Sequence, residues 1–477
     1  MPVHASLPVK PKLLRFAAYA AQLLPHQVYY LQGVQRFADP DNIAILDRVA
    51  HNSQPECSPL PYDEGIDKRK YSKLIDWIGQ RLAAVDVDAQ FEWIQQMERR
   101  IMTDSVRPED EQQLLRAIRK DTQPGYNFVR FYDLVRHYRQ FLCIRMRHHD
   151  HRLAHAFLQT HAAAYQHAQE TYERLHAVSV DIIQQYARHD TETRQWEEWL
   201  KSVFYDEAMD GLNRYFAVVR LTFLYLNYRS LGDLLVVYDA LDAMFRRGLF
   251  CTRRILLNYY ANRVLLHARS GDLDQAIGYG YLSIRQQNAD YLHYVNNLSA
   301  LLLRRGDREE ALHLMREALP YLRQTKSFHN RVGFVAFYIR CLNENAAPAQ
   351  AEQYAEGFLR GYKEQVFEQR WHLFFTAYLQ SLLQQEKYDK MLRVASKYRL
   401  MDKEEAYRKR NGYLPTMTWY HALAQYKEGR IGAQQLRTLI GESYRQQATD
   451  PHKGRLLDEV LRELVHHDPV ALAALGA

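Results

Sequence analysis

Two segments near the middle of the chain repeat each other at a fixed distance. Asn262–Ala276 reads NRVLLHARSGDLDQA, and Asn297–Ala311, which begins 35 residues later, reads NLSALLLRRGDREEA. Each begins with Asn, continues with an apolar stretch, and reaches Gly-Asp and then Ala in the same register. A period of this length is typical of helical hairpins that bury their apolar faces by stacking on one another. The repeat therefore predicts an all-α fold.

The composition favours long helices with short connections. The 477 residues are 47% hydrophobic and 25% charged, and they include only 20 Gly and 15 Pro. No stretch approaches the roughly 18 uninterrupted apolar residues of a membrane span, so we expect no membrane partner. The four cysteines are far apart and share no metal-ligand spacing, which predicts free thiols in a cytoplasmic protein. The net charge of +7 is mild for this length.

Turn-like positions recur through the second half of the chain. They are separated by 39, 35, 40, 40 and 43 residues and lie at Gly232-Asp233, Gly271-Asp272, Gly306-Asp307, Ala346, Glu386 and Gly429-Arg430. We expect each to join the two helices of a hairpin. The predicted organisation is N-terminal helices in residues 1–52, a Pro-rich connector in 53–66, a helical region in 67–205, a repeat array in 206–452 and C-terminal capping helices in 453–477.

The repeat resembles the tetratricopeptide family. The family's first helix carries Leu and a small residue, a Gly-Asp turn follows, and small residues lie on the second helix. In the better-matching unit these places are taken by Leu298, Ser299, Gly306, Asp307, Ala311 and Ala318. In the preceding unit, Arg263 and Val264 replace the Leu-small pair. The resemblance implies an α-solenoid of TPR-like hairpins, preceded by the N-terminal helical region.

The same resemblance implies a peptide-binding surface. Tetratricopeptide domains that bind extended peptides often use an Asn of the first helix, and Asn262 and Asn297 occupy matching places. Asn258 and His293 lie one turn earlier, and Arg340 of the next unit is expected nearby. An amide suits this contact because it offers both a donor and an acceptor to a peptide group. We predict a non-enzymatic scaffold that binds a protein or peptide segment on the concave face of the array.

An alternative is nucleic-acid or phosphate binding by residues 126–155. Arg136, Arg139 and Arg147 line one side of a predicted helix there, and aromatic residues form a second stripe. Arginines that alternate with aromatics suit phosphate contact and base stacking. An amphipathic helix with a solvated Arg face and an aromatic core explains the same pattern.

Neither a metal nor a cofactor is predicted. His151 and His155 lie four residues apart in the segment His148–His155, as helical metal sites require, but the default interpretation is a solvated helix surface. The chain has no phosphate-binding loop, nucleophile elbow or zinc-binding helix motif. We therefore expect no enzymatic activity.

Overall fold

The computed structural model describes residues 13–55, 57–120, 125–188, 192–411, 414–447 and 451–472. Throughout these ranges the regular structure is helical and no strand is present, so the predicted all-α class is confirmed. Within the same ranges, no helix combines the length and apolar content needed to cross a membrane. The chain divides into two compact units, Met1–Arg285 and Gln286–Ala477.

The first unit contains thirteen helices in its described residues, together with one 3₁₀ turn at Arg194–Trp196. The helices are α1 (Leu14–Ala20), α2 (Pro25–Val34), α3 (Pro40–Ser53), α4 (Lys68–Val85), α5 (Val87–Met102), α6 (Pro108–Lys120), α7 (Phe128–Ile144), α8 (His148–Arg188), α9 (Glu197–Tyr205), α10 (Gly211–Tyr228), α11 (Leu231–Arg246), α12 (Arg253–Ser270) and α13 (Leu273–Ser283). Three hydrophobic clusters hold them together: one in α1–α4, one in α5–α8 and one centred on α8–α13.

The second unit is built from eleven helices in its described residues. They are α14 (Tyr291–Arg305), α15 (Arg308–Leu322), α16 (Phe328–Glu344), α17 (Pro348–Glu368), α18 (Trp371–Leu383), α19 (Tyr388–Tyr398), α20 (Leu400–Asn411), α21 (Thr416–Lys427), α22 (Ala433–Gln447), α23 (Pro451–His467) and α24 (Pro469–Leu472). Here α14 packs on α16, α16 on α18 and α18 on α21, so the first helices of successive hairpins form a row.

The hairpins share one kind of reversal. A residue with positive φ ends the first helix at Gly271, Gly306, Ala346, Glu386 and Gly429, all of which are predicted turn positions. The next N–H then donates to the carbonyl five residues back along the chain, as Asp307 N does to Leu302 O at 2.9 Å. This hydrogen bond satisfies a carbonyl that the end of the helix would otherwise leave unpaired.

The prediction of a turn at Gly232-Asp233 is wrong. The left-handed residue is Arg229, with φ of 57°, and Gly232 lies inside α11. Ser230 N donates to Tyr225 O at 2.9 Å across this reversal. A non-glycine residue can occupy the left-handed region at a cost of about 1 kcal/mol, which the hydrogen bond offsets. The glycine pattern therefore placed the turn three residues too late.

The same reversal occurs earlier than the predicted array. Asp104 joins α5 to α6 and Met146 joins α7 to α8, both with positive φ and the same hydrogen bond across the turn. The division into units at 285/286 lies inside the predicted segment 206–452, and residues on both sides of the predicted connector 53–66 share the α1–α4 cluster. The domain boundaries stay predictions.

Replacing Ala346 with Gly is expected to stabilise the second unit by about 0.5–1 kcal/mol, because Gly adopts positive φ without a Cβ clash. The matched control is Ala300→Gly in the interior of α14, which should instead cost about 1 kcal/mol. Thermal unfolding of the two variants checks the opposite signs. Destabilisation by both would contradict the role given to Ala346.

Asp210 should make the stability of the first unit depend on pH. It caps α10 and is buried, and burial raises its pKa from 3.8 to about 6. Each pKa unit corresponds to about 1.4 kcal/mol, so the rise changes the free energy of unfolding by about 3 kcal/mol between the protonated and the ionised form of Asp210. The folded state binds the proton more tightly than the unfolded state. The stabilisation by protonated Asp210 is therefore complete below pH 3.8 and is lost as the pH rises through about 6.

Asp210→Asn keeps the capping oxygen and removes the charge. Urea unfolding at pH 4 and pH 7 should show the wild type losing about 3 kcal/mol relative to this variant as the pH rises. A difference that stays constant over this range would contradict the assignment.

Candidate functional site

Helices α8 and α10 of the first unit lie side by side and run in the same direction. Tyr172 of α8 and Phe216 of α10 have ring centroids 6.0 Å apart. Three to four turns further along both helices, Asn227 Nδ2 donates to Gln185 Oε1 at 3.3 Å. Because these contacts advance together along the two helices, the C-terminal half of α8 is parallel to α10.

Helix α12 continues this arrangement on the other side of α10. Tyr215 Oη donates to Asn258 Oδ1 at 3.3 Å, and Arg269 Nη1 donates to Leu226 O at 2.9 Å. These two contacts are also in register along both helices. Three parallel helices thus present one continuous surface.

The outer side of this surface carries an apolar strip. Helix α10 is buried around most of its circumference, and its remaining stripe includes Phe216 and Val219, which are half-buried, and Phe223, which is 53% exposed. On α8, Tyr172 is 48% and Ile183 is 64% exposed. We call these five residues the apolar strip. A contiguous exposed apolar surface on an otherwise packed helix is typical of a binding site.

The predicted asparagines of the first unit border the apolar strip. Asn258 and Asn262 are half-buried on α12, and Asn262 Nδ2 donates to Asn258 Oδ1 at 3.2 Å. With the bond from Tyr215, this leaves the Nδ2 of Asn258 and the Oδ1 of Asn262 without a partner among the described residues. One donor and one acceptor are therefore available beside the apolar strip, which is what a peptide group requires.

The other predicted contacts lie in the second unit. Asn297 Nδ2 lies 3.4 Å from His293 Nε2 on α14, which repeats the spacing of the Asn258–Asn262 pair. Burial lowers the pKa of His293, and the nearby charges of Arg370 and His329 lower it further, so the neutral imidazole accepts this bond. Arg340 is exposed on α16.

The row of first helices in the second unit meets the chain's own C-terminal helix. Gln380 of α18 and Tyr420 of α21 donate to the two carboxylate oxygens of Glu463 on α23, at 2.7 Å and 2.6 Å. Burial raises the pKa of Glu463, and the charge of Arg340 opposes that rise. The end of this row is therefore already in contact with part of the same chain.

The arginines of the alternative site are largely engaged. Arg147 pairs with Glu111 and Asp150, and although burial acts in the opposite direction, these bonds raise its pKa. Arg136 pairs with Asp133 at 2.9 Å, while Arg139 is half-buried. The aromatic stripe is buried in the α5–α8 cluster and includes Phe128, Phe131, Tyr132 and Tyr138. Buried rings present no face on which bases could stack.

The histidine segment shows only a stacked pair. His151 and His155 stack with ring centroids 6.0 Å apart. Asp150 Oδ2 forms an ion pair with Arg147 Nη2 at 2.6 Å. No group of three or more potential metal ligands occurs in the part of the chain that the structure describes.

A buried polar network in the first unit was not predicted. His26 Nε2 of α2 lies 2.6 Å from Asp242 Oδ1 of α11, and Arg263 Nη2 of α12 lies 2.7 Å from Asp242 Oδ2. Tyr259 Oη donates to Asp242 Oδ1 at 2.7 Å, and His26 Nδ1 lies 2.8 Å from Tyr260 Oη. Burial acts to raise the pKa of Asp242, but the bond to His26 and the charge of Arg263 outweigh it and lower the pKa.

This network joins three helices and borders little free space. The cavity beside His26 and Asp242 has a volume of about 120 Å³, which is below the roughly 300–1,000 Å³ of typical small-molecule sites. The signal in the sequence was Arg263 itself, because a charged residue at a position where the repeat pattern expects Leu requires a buried partner.

No protein-family model matches the chain, and no curated protein matches it. The tetratricopeptide resemblance stays a prediction.

Asp242→Ala should destabilise α12 by about 3–5 kcal/mol, because it leaves the buried guanidinium of Arg263 without its closest carboxylate. The matched control is Asp239→Ala. Asp239 lies 3.3 Å from the same guanidinium but is 66% exposed, so its loss should cost less than about 1 kcal/mol. Amide hydrogen exchange in α12 measures both effects. Equal costs for the two carboxylates would contradict this assignment.

Proposed function

We propose that the protein is a non-enzymatic interaction scaffold that binds a segment of a partner protein on the surface formed by α8, α10 and α12. The observation that carries the proposal is the apolar strip. Phe223 of α10 and Ile183 of α8 are more than half exposed, although α10 is otherwise packed. The half-buried pair Asn258 and Asn262 supplies polar contacts at its border. The proposal needs no cofactor.

The energetics favour a segment with several apolar side chains. Full burial of a large apolar side chain yields about 1.5–3 kcal/mol, so covering the exposed part of Tyr172, Ile183 or Phe223 yields roughly 1 kcal/mol for each. Association itself costs at least about 4 kcal/mol. Binding therefore requires contact with the whole strip together with hydrogen bonds to the border, rather than a single anchoring residue.

We also propose that the hairpins form an α-solenoid of the tetratricopeptide type. Support comes from the repeated left-handed reversals and from the row of first helices in the second unit. The small residues of the repeat pattern, Ser299, Ala311 and Ala318, are fully buried, as close helix approach requires. All four cysteines are free thiols, which fits the cytoplasmic location that the proposal assumes.

Nucleic-acid binding through Arg136, Arg139 and Arg147 stays a prediction that no observation favours. The buried aromatic stripe and the ion pairs of Arg136 and Arg147 argue for the ordinary amphipathic helix. Binding that weakens steeply with salt would support the nucleic-acid alternative.

The double substitution Ile183→Ser and Phe223→Ser should weaken segment binding without unfolding the protein, because both side chains are more than half exposed. The probe is a phage-displayed library of random twelve-residue peptides selected on the full chain. Peptides recovered in this way should bind the double variant at least about tenfold more weakly, since roughly 2 kcal/mol of apolar contact is removed.

The control is Val236→Ser on α11, which is 63% exposed and lies outside the apolar strip. It should leave peptide affinity unchanged. Selected peptides that bind the wild type and the double variant equally well would contradict the proposal.

A further inference from the structure

A single cation lies within the apolar strip. Arg220 of α10 is half-buried, one turn after Phe216 and about one turn before Phe223. Its Nε donates to Leu175 O at 3.2 Å and its Nη1 to Phe216 O at 3.0 Å. The guanidinium carbon lies 5.0 Å from the centroid of the Phe216 ring. The group is thus fixed against α8 and α10, among apolar neighbours.

Arg220 has no counter-charge in the part of the chain that the structure describes. No carboxylate pairs with it among the described residues, whereas Arg263 pairs with Asp242 and Arg147 with Glu111 and Asp150. Burial lowers the pKa of Arg220. A partly desolvated cation without an acid is unfavourable, and an anion from outside would improve its environment.

The geometry leaves the group accessible from one side. Arg214, earlier on the same helix, also forms no ion pair with any described residue, but it is only 6% exposed and its Nε donates to Phe204 O at 2.9 Å. Arg220 instead belongs to the only stripe of α10 that is not buried, together with Phe216 and Phe223. Its Nη2 takes no partner among the described residues, so one face of the guanidinium fork remains for a ligand.

We propose that Arg220 is the anchor for a carboxylate side chain of the bound segment, so that the partner is an acidic, apolar segment with Asp or Glu between apolar residues. This inference rests on the proposed function. The apolar residues on both sides of the acid follow from the positions of Phe216 and Phe223 on both sides of Arg220. A carboxylate fits better than a phosphate, because one guanidinium cannot neutralise a dianion in an apolar setting.

A purely structural role is the competing explanation. The bonds from Arg220 to Leu175 O and Phe216 O join α8 to α10, so removing the side chain affects packing as well as charge. Two substitutions separate these roles. Arg220→Leu keeps the apolar base of the side chain and removes the guanidinium, while Arg220→Lys keeps the charge and loses the planar fork.

The experiment selects the same random twelve-residue peptide library in parallel on the wild-type full chain and on Arg220→Leu. Peptides from the wild type should be enriched in Asp or Glu flanked by apolar residues, and those from Arg220→Leu should keep the apolar residues but lose the acid. Replacing the acid of one selected peptide by its amide should weaken binding to the wild type by about tenfold or more, and binding to Arg220→Leu by less than about twofold.

Arg220→Lys should restore part of the preference for an acid. The matched control is Arg246→Leu, since Arg246 also lies over an aromatic ring, that of Tyr29 at 4.9 Å, but outside the apolar strip. Circular dichroism checks that each variant is folded.

The outcomes separate the two proposals. Apolar peptides without an acidic preference, or the same preference with Arg220→Leu, overturn the anchor and leave the scaffold proposal intact. Peptides that bind the wild type and the Ile183→Ser, Phe223→Ser double variant with equal affinity overturn the scaffold proposal and the anchor with it.

Discussion

The six hairpins α10/α11, α12/α13, α14/α15, α16/α17, α18/α19 and α21/α22 each depend on one residue held at positive φ and on one backbone hydrogen bond across it. At Gly306, for example, the bond from Asp307 N to Leu302 O ends α14 and returns the chain, so that α15 packs against it. The turn is held by a backbone hydrogen bond rather than by side chains, which is why Ala346, Glu386 and Arg229 can occupy the position at a modest cost relative to glycine. The reversal fixes where each helix stops and therefore which of its sides meets the next hairpin.

The exposed surface follows from this packing. Helix α10 lies between α8 and α12 and also contacts α11, so only one stripe of its circumference is left outside the core. That stripe holds Phe216, Val219 and Phe223, together with Arg220. A stripe with no packing role would normally be polar. Under the proposed function, the stripe of α10 is apolar because a segment of the partner protein covers it.

The sequence predicted what depends on local chemistry. The turn positions from Gly271 onward are read from their spacing, and Asn258 and Asn262 are placed on one helix side by their separation of four residues. The turn at Met146 was missed because nothing in a short stretch of sequence marks a left-handed Met. The contact between His26 and Asp242 joins residues 216 positions apart, and no local pattern reports such a pair.

The apolar strip could not be predicted for a similar reason. Tyr172 and Ile183 lie on α8, a helix of 41 residues whose two halves pack against different neighbours, so its pattern of exposure changes along its length. The pairing of Tyr172 with Phe216 becomes visible only when α8 and α10 are seen to be parallel. The sequence marked α10 as unusually apolar, but not which of its residues stay outside the core.

Hydroxyl-radical footprinting of the full chain, free and bound to a selected peptide, shows which side chains the bound segment covers, because it reports on individual side chains. We expect protection of Tyr172, Phe216 and Phe223 on binding. We expect no change at Phe91 and Tyr205, which are 41% and 45% exposed and lie outside the apolar strip. Unchanged oxidation of the apolar strip, with protection elsewhere, would contradict the proposed function.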